Sequence, residues 1–284
     1  MSGIPSSFPV ANELPATRRR DLLVLLEDGY LFAGPWVVSE TARFSAAIAL
    51  TVAGDGDTFE YGAGGEAGRC EVLVTRPHAR RRLGVRGVPI VAVGISPNHA
   101  CYRLFRSIGG HGSLCLPRAL FSPLDAALRA VYEHRCSLAE VQALFAQLVA
   151  AVATQLPTPV ARENDPRIRR VLRMLHAEPA AGLDELAAAS GLSYDRMSHL
   201  FAEEVGLPMR SYQLAQKVHL ATQLVGSGLS LTEIALAAGF ADSAHLSKVW
   251  LRAYGGSPTH FFSNERVRVM SAFHPSRQDA SVVS

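Results

Sequence analysis

The chain is short of most features that would mark a membrane protein, a disulfide scaffold or an enzyme. Aromatic residues make up 7% of its 284 residues, and only four cysteines occur, Cys70, Cys101, Cys115 and Cys136. None of the four sits in a CxxC pair or at metal-ligand spacing, so they are expected to be reduced and mostly buried. No run approaches the roughly 18 apolar residues a membrane span needs, and the opening stretch has no signal-peptide core, so a cytoplasmic protein without membrane contact is expected. No Ser-His-Asp, Cys-His or metal-binding set stands out, which predicts no enzyme, no cofactor and no metal. Charge of one sign is also missing. The formal net charge is +3, and residues 165–265 hold nine Lys or Arg against ten Asp or Glu. Bulk electrostatics therefore do not announce a nucleic-acid partner. Lysine is confined to Lys217 and Lys248; every other basic side chain is arginine.

What the chain does have is a repeat. Glu185-Leu-Ala-Ala-Ala-Ser-Gly-Leu returns 48 residues later as Glu233-Ile-Ala-Leu-Ala-Ala-Gly-Phe. After one extra residue in the second copy, Met197, Phe201 and Gly206 match Leu246, Trp250 and Gly255. Each copy reads as a short apolar helix, a glycine turn and an amphipathic helix, the sequence form of a helix-turn-helix. Gly191 and Gly239 fall where the first helix must stop, and Ser193 and Asp242 fall where the second needs a cap. Apolar residues then recur at helical spacing, Met197, Leu200, Phe201 and Val205 in one copy, Leu246, Val249, Trp250 and Ala253 in the other.

The surrounding punctuation predicts further helices. Asp165-Pro166 opens one ending near Ala177; Pro208 opens a long one that joins the units and stops at Gly226 and Gly228; Ser230 with Glu233 forms a capping box; Ser257-Pro258 opens a last short helix. The sum is an all-α domain of about seven helices over residues 165–265.

These residues resemble the DNA-binding domain of the AraC/XylS family of bacterial transcriptional regulators. The stretch Ile234-Ala235-xx-Ala238-Gly239-Phe240-x-Asp242, followed by a helix and Gly256-Ser257-Pro258, carries that resemblance. It implies two helix-turn-helix units whose second helices enter successive major-groove segments of double-stranded DNA, roughly 34 Å apart. Carried over by position, the base-facing residues fall on Asp195, Ser198 and His199, with Arg196 beside them, and on Ser243, Ala244, His245 and Lys248. Arg210 and Arg252 are candidates for phosphate contacts, which position without specifying. A polar side chain on an exposed helix face is just as often simply solvated, and Asp195 and Asp242 suit helix starts as well as bases. Trp250 stands where the family usually has phenylalanine, and Gln213, Gln216 and Lys217 stand where arginines are common.

The first half changes texture. Residues 22–26, 46–52, 70–74 and 90–95 are short apolar runs separated by Gly, Asp and Pro, suggesting a small β-sandwich or barrel. This half is similar, more weakly, to the cupin-like sensory domain of many AraC-type regulators, with Val74-Thr75-Arg76-Pro77-His78 as a strand ending in Pro-His. His78 lacks an upstream His pair, so no metal site is expected.

The concentrated charge in this half is Arg76, Arg80, Arg81 and Arg82, with Arg86 following. Strand alternation would put Arg80 and Arg82 on one face and Arg81 on the other. One reading is a solvated edge that blocks strand pairing. The other is an anionic effector site, since guanidinium forks bind phosphate and carboxylate bidentately. The Arg76/Arg80 spacing is similar to the cyclic-di-GMP motif of PilZ domains, without that motif's downstream half.

The predicted architecture is an α+β multidomain chain: a disordered stretch over 1–20, a cupin-like sensory β-domain with accessory helices over 21–118, a helical connector over 119–156, a linker over 157–164, the helix-turn-helix domain over 165–265 and a disordered tail over 266–284. Ser122-Pro123 opens one connector helix, and Ser137 with Glu140 opens a second whose apolar stripe suits dimerisation or burial on its own domain. The predicted function is a small-molecule-controlled transcriptional activator, a homodimer that works with RNA polymerase. A cysteine-based redox regulator using Cys101 and Cys115 is the alternative.

Overall fold

The computed structural model describes residues 21–42, 44–63, 66–157, 165–254, 256–262 and 267–273. The expected disordered stretch over 1–20 and most of the linker lie outside them.

Eight strands come first: β1 (Asp21–Leu26), β2 (Gly29–Ala42), β3 (Ala46–Thr51), β4 (Phe59–Ala63), β5 (Glu66–Cys70), β6 (Val72–Thr75), β7 (Arg80–Ile95) and β8 (Ser113–Cys115). Two helices follow, α1 (Asp125–Tyr132) and α2 (Leu138–Ala153). The helical half holds α3 (Pro166–Ala177), α4 (Leu183–Ser190), α5 (Tyr194–Val205), α6 (Met209–Gln223), α7 (Leu231–Ala237), α8 (Ser243–Tyr254) and α9 (Pro258–Phe262). These are the seven helices that the caps predict. Residues Val267–Ser271 then form a ninth strand, β9, where a disordered tail was expected.

The strands make one sheet in the order β8-β6-β3-β7-β2-β1-β9, with the β4–β5 hairpin attached through β4 to β7. β7 organises it. Its second half, Ile90–Ile95, pairs with β3, its first half with β4, and β2 runs antiparallel along nearly its whole length. β9 joins β1 in parallel, Asp21 opposite Val267 through Leu25 opposite Ser271. The chain therefore leaves the helical half and returns to close one end of the sensory sheet.

Side-chain alternation divides the sheet's burial among separate cores. Leu22, Val24, Leu31, Ile48, Val91 and Val93 face α1, α2 and Met270 of β9. Leu23, Leu25 and Tyr30, on the opposite face of β1 and β2, join Val218, Ile234, Leu246, Trp250, Phe261 and Val267 in a second core. The hairpin end encloses Phe59, Cys70, Leu73, Leu83 and Val85. Burying one such Leu, Val or Phe is worth about 1.5–3 kcal/mol, so the shared second core is a substantial attachment between the halves.

The connector differs from the sequence reading in detail. Ser122-Pro123 lies inside a 3-10 segment, Arg118–Leu124, and α1 begins only at Asp125. The Ser137/Glu140 capping box on α2 is present on both sides. The apolar stripe of α2, Val141, Leu144, Phe145, Leu148, Val149 and Val152, is spent on the sensory domain's own core.

Candidate nucleic-acid interface

Each helix-turn-helix unit is built by the device its sequence announces. Gly191 ends α4 with φ 68° and Gly239 follows α7 with φ 77°, the left-handed conformation that costs glycine least. Ser193 then caps α5 by accepting from the Arg196 amide at 3.4 Å, and Asp242 caps α8 by accepting from the His245 amide at 2.6 Å. Ser230 and Glu233 form the reciprocal box that starts α7. Glu233 is held below the ordinary carboxylate range by its hydrogen bonds from Ser230.

The apolar faces of the two second helices are fully used. Met197, Phe201 and Val205 of α5 are buried with Ile168, Leu186 and Tyr212. Leu246, Val249, Trp250 and Ala253 of α8 are buried in the second core, where the Trp250 ring lies 4.5 Å from Tyr254, itself 5.0 Å from Tyr30. Trp250 thus has a use for its extra size over phenylalanine: it extends an aromatic row toward the sensory sheet.

The other faces point outward. Asp195, Arg196 and His199 of α5 are exposed and Ser198 is half-buried; on α8, Ala244, His245 and Lys248 are exposed and Ser243 is half-buried. The His245 ring is not entirely loose: it meets the Phe240 ring edge-on at 5.3 Å. The donors and acceptors available match base edges and phosphates, with Lys248 and Arg196 the cationic members and Asp195 the acceptor. Arg210 is exposed at the start of α6. Arg252 is placed differently. Its guanidinium sits 5.6 Å from the Phe44 ring of the sensory half, a cation–π contact. Arg252 lies one turn beyond Lys248 on the same exposed face of α8, so the far end of the edge that His245 and Lys248 begin reaches the sensory half.

The joining helix α6 explains its unusual glutamines. Gln213 donates to the Ala181 carbonyl at 2.9 Å, and Lys217 donates to the Gly239 carbonyl at 2.8 Å, closing the turn of the second unit. Gln216 is buried and exchanges hydrogen bonds with Asn98 of the sensory half: its Nε2 donates to Asn98 Oδ1 at 2.5 Å, and Asn98 Nδ2 donates back at 3.4 Å. The Tyr212 hydroxyl also donates to Asn98, at 3.2 Å. The Tyr102 hydroxyl reaches the Phe44 carbonyl at 2.6 Å, and Arg106 donates to the Glu203 carbonyl at 3.2 Å. The partners of Asn98 and Arg106 lie about a hundred residues further along the chain and that of Tyr102 lies 58 residues before it, and the amino-acid pattern of none of these segments signals them.

Between the halves lies a small cavity of about 50 Å³, lined by Tyr30, Phe44, Ser45, Ser96, His219 and Tyr254 among others. The Ser45 hydroxyl is buried there without a hydrogen-bond partner. His219 is held below the usual imidazole range chiefly by burial, as are His78 and His99.

The arginine cluster does not converge as one site. Arg81 is buried, on the same side of β7 as Leu83 and Val85, and donates to Thr75 Oγ1. Arg80 is exposed and Arg82 half-buried on the opposite side, while Arg76 stands ahead of the turn, against Gly112. The alternation was legible in the sequence; the strand's position was not. Residues 81–84 pair on both sides, with β2 and with β4, so the solvated-edge reading is corrected. His78 occupies the turn itself, with φ 58°, its ring edge-on to Phe44 at 5.8 Å. Among the described residues, no three His, Cys, Asp or Glu side chains gather in a way that could hold a metal ion, and no helix is long and apolar enough to cross a membrane.

The fold and its outward faces thus define a β-sheet domain followed by a helical domain with two helix-turn-helix units. Comparison with known proteins agrees. Residues 186–264 match the family described as "Helix-turn-helix domain". The chain is 28% identical over 155 residues to the HTH-type transcriptional regulator RipA of Corynebacterium glutamicum, covering 54% of this chain and 46% of that one. It is also 28% identical over 110 residues to the transcriptional activator NphR of a Rhodococcus species, covering 38% and 32%. The matches span about half or less of these relatives. A crystal structure of ToxT from Vibrio cholerae O395 superposes over 81% of this chain and 94% of its own, with TM-score 0.51 at 10% identity, a likeness of fold. A second ToxT structure, described as bound to (E)-4-(8-methylnaphthalen-1-yl)but-3-enoic acid, gives TM-score 0.50 at 9% identity over 81% of this chain and 96% of that one. The C-terminal region is an AraC/XylS-type double helix-turn-helix domain.

Proposed function

We propose that the chain is a sequence-specific DNA-binding transcriptional regulator, an activator working with RNA polymerase, controlled by a small molecule held by the N-terminal half. The carrying observation is that α5 and α8 bury complete apolar faces while Asp195, Arg196, His199, His245 and Lys248 stay exposed on their outer edges. Ser198, Ser243 and Ala244 complete those edges, and Arg210 supplies a phosphate contact. Arg252, exposed one turn beyond Lys248, is a second phosphate-contact candidate that also meets Phe44. The test is promoter binding by the chain and by variants with His245 and Lys248 replaced by alanine. Loss of affinity with retained helicity supports the reading, and unchanged affinity refutes the placement of the second reading helix.

For the effector, the reading we favour is a small anion. A ligand acts only by binding two domain arrangements differently, and the contacts of Asn98, Tyr102 and Arg106 with the helical half supply one such arrangement. Arg80 and Arg82 share a face and are the anion-binding candidates. Arg76 joins them only if the turn at His78 closes, and Arg81 supports the strand from within. Carboxylates of the kind named for the ToxT complex, and cyclic-di-GMP for the Arg76/Arg80 spacing, are the ligands to titrate; an unchanged response in an Arg80/Arg82 double variant retires the site. A homodimer is proposed through the outer face of α2, where Ala139, Gln142, Ala143, Ala146, Gln147 and Ala150 are exposed, since the apolar stripe is already buried. Cytoplasmic location follows from this role.

A further inference from the structure

Cys70 and Cys115 are far apart in the chain and brought together by the sheet. β8 runs antiparallel to β6 with Cys115 opposite Leu73, and cross-strand partners project to the same face. Leu73 belongs to the core that contains Phe59 and Cys70, whereas Leu114, one residue earlier on β8, packs on the opposite core. Cys115 therefore stands on the Cys70 side. Burial first, and then the neighbouring Cys115, push the Cys70 thiol up, and Cys115 also pushes up the Tyr61 hydroxyl on the same side of the sheet. All four cysteines are free; Cys70 is buried and Cys115 exposed. Cys101 and Cys136 belong to the other core, so the pairing of Cys101 with Cys115 expected for a redox regulator gives way to a different one.

We propose that Cys70 and Cys115 form an oxidisable dithiol pair, closed to a disulfide by a peroxide, that alters how the segment between β7 and β8 holds the helical half. Cys115 is the solvent-facing partner and meets the oxidant first. Its thiolate attacks the peroxide, the O–O bond breaks, and Cys115 becomes a sulfenic acid while the second oxygen leaves as water or an alcohol. The Cys70 sulfur then attacks the Cys115 sulfur, the S–O bond breaks, and the Cys70 proton leaves with the hydroxide as water. Two thiols are oxidised and one peroxide is reduced. Burial keeps Cys70 in its thiol form at rest, which suits a resolving partner better than a first nucleophile.

The position of β8 gives the bond a consequence. Residues 96–112 leave β7 and end at β8, and they carry Asn98, Tyr102 and Arg106, the residues that reach Gln216, the Phe44 carbonyl and Glu203. Tying Cys115 to the end of β5 fixes the outgoing end of that segment in a new place.

The experiment treats the full chain with hydrogen peroxide, maps thiols and linked peptides without reduction, and follows amide exchange. The expected result is loss of two thiols ahead of the others, a Cys70–Cys115 linked peptide lighter by two hydrogens and reversed by dithiothreitol, and faster exchange over residues 98–106. Cys115→Ser, a change at an exposed site, must abolish the link and the exchange difference, and Cys70→Ala must leave a sulfenic acid on Cys115 that dimedone traps. A link between Cys115 and Cys101, oxidation of Cys101 or Cys136 as fast as that of Cys115, or exchange over 98–106 identical in the linked and reduced protein overturns the proposal. None of these readouts requires DNA.

Discussion

Asn98 is the side chain whose loss the structure makes most costly for its size. It accepts from Gln216 Nε2 at 2.5 Å and from the Tyr212 hydroxyl at 3.2 Å, and donates to Gln216 Oε1 at 3.4 Å. Gln216 and Tyr212 are buried. In Asn98→Ala, both ends of the Gln216 amide lose their partner inside the protein, while Tyr212 keeps its 3.5 Å contact with His176 Nε2. Each buried polar group left unsatisfied costs about 1–3 kcal/mol, so the variant should lose roughly 2–4 kcal/mol of domain attachment, counting the two amide ends and allowing some relaxation. Gln216→Leu removes the stranded amide instead, leaving only half-exposed Asn98, which water can satisfy, and should cost under about 1 kcal/mol. The double variant should then recover at least about 1 kcal/mol relative to Asn98→Ala, a coupling of the size expected for groups in contact. Because two domains need not unfold together, the assay is amide exchange of α6 read at residue level alongside urea unfolding. A cost below about 0.5 kcal/mol for Asn98→Ala, or no recovery in the double variant, would show that this contact does not hold the halves together.

Three further outcomes follow from the same geometry. Asp242→Ala removes the acceptor for the His245 amide and should cost about 0.5–2 kcal/mol of helix stability, whereas Asp242→Asn keeps the cap and removes a negative charge beside the reading edge; in salt-matched binding assays it should hold DNA more tightly than the parent. On acidification, His78 and His219, whose values in the folded chain lie below the ordinary 6.5 through burial first, stay neutral while the unfolded chain takes up protons. Stability is therefore complete above about pH 6.5 and falls as pH drops from there toward the lowered folded values; His219→Gln should flatten part of that slope in urea midpoints measured across pH, and an unchanged slope would count against it. This window is separate from the more acidic one in which Glu140 and Glu233, held low by their capping boxes, are protonated. Met270→Ala, which empties a buried site between β9 and the sensory core, should cost about 2–5 kcal/mol by thermal or urea unfolding.

The helical half was legible because its signals are local. A glycine that must turn left-handed, a serine or aspartate that must cap, and an apolar stripe at helical spacing are each decided within a few residues, and Gly191, Gly239, Ser193, Asp242 and the Ser230/Glu233 box all stand where the chain put them. The sheet was legible only in its strongest apolar runs. β2 was missed because Gly34 and Pro35 interrupt its pattern, where the pairing with β7 shifts register. The arginines of β7 disguised an interior strand as an edge, since period-two alternation tells which side chains share a face but not how many neighbours the strand has. β9 carried a faint signal in Val267-Arg-Val-Met-Ser that its place beyond the repeat concealed. The domain contacts had none. Asn98, Gln216 and Arg252 are ordinary polar residues until the fold brings the two halves together.

If α5 and α8 present two reading edges to one duplex, a methylation-protection and hydroxyl-radical footprint on promoter DNA will show it. It should show two protected major-groove patches on one face of the helix, about one turn or 10 base pairs apart, with the patch read by α8 lost in the His245/Lys248 double alanine variant and the patch read by α5 retained. A single patch, or two patches on opposite faces that respond alike to that variant, would contradict it.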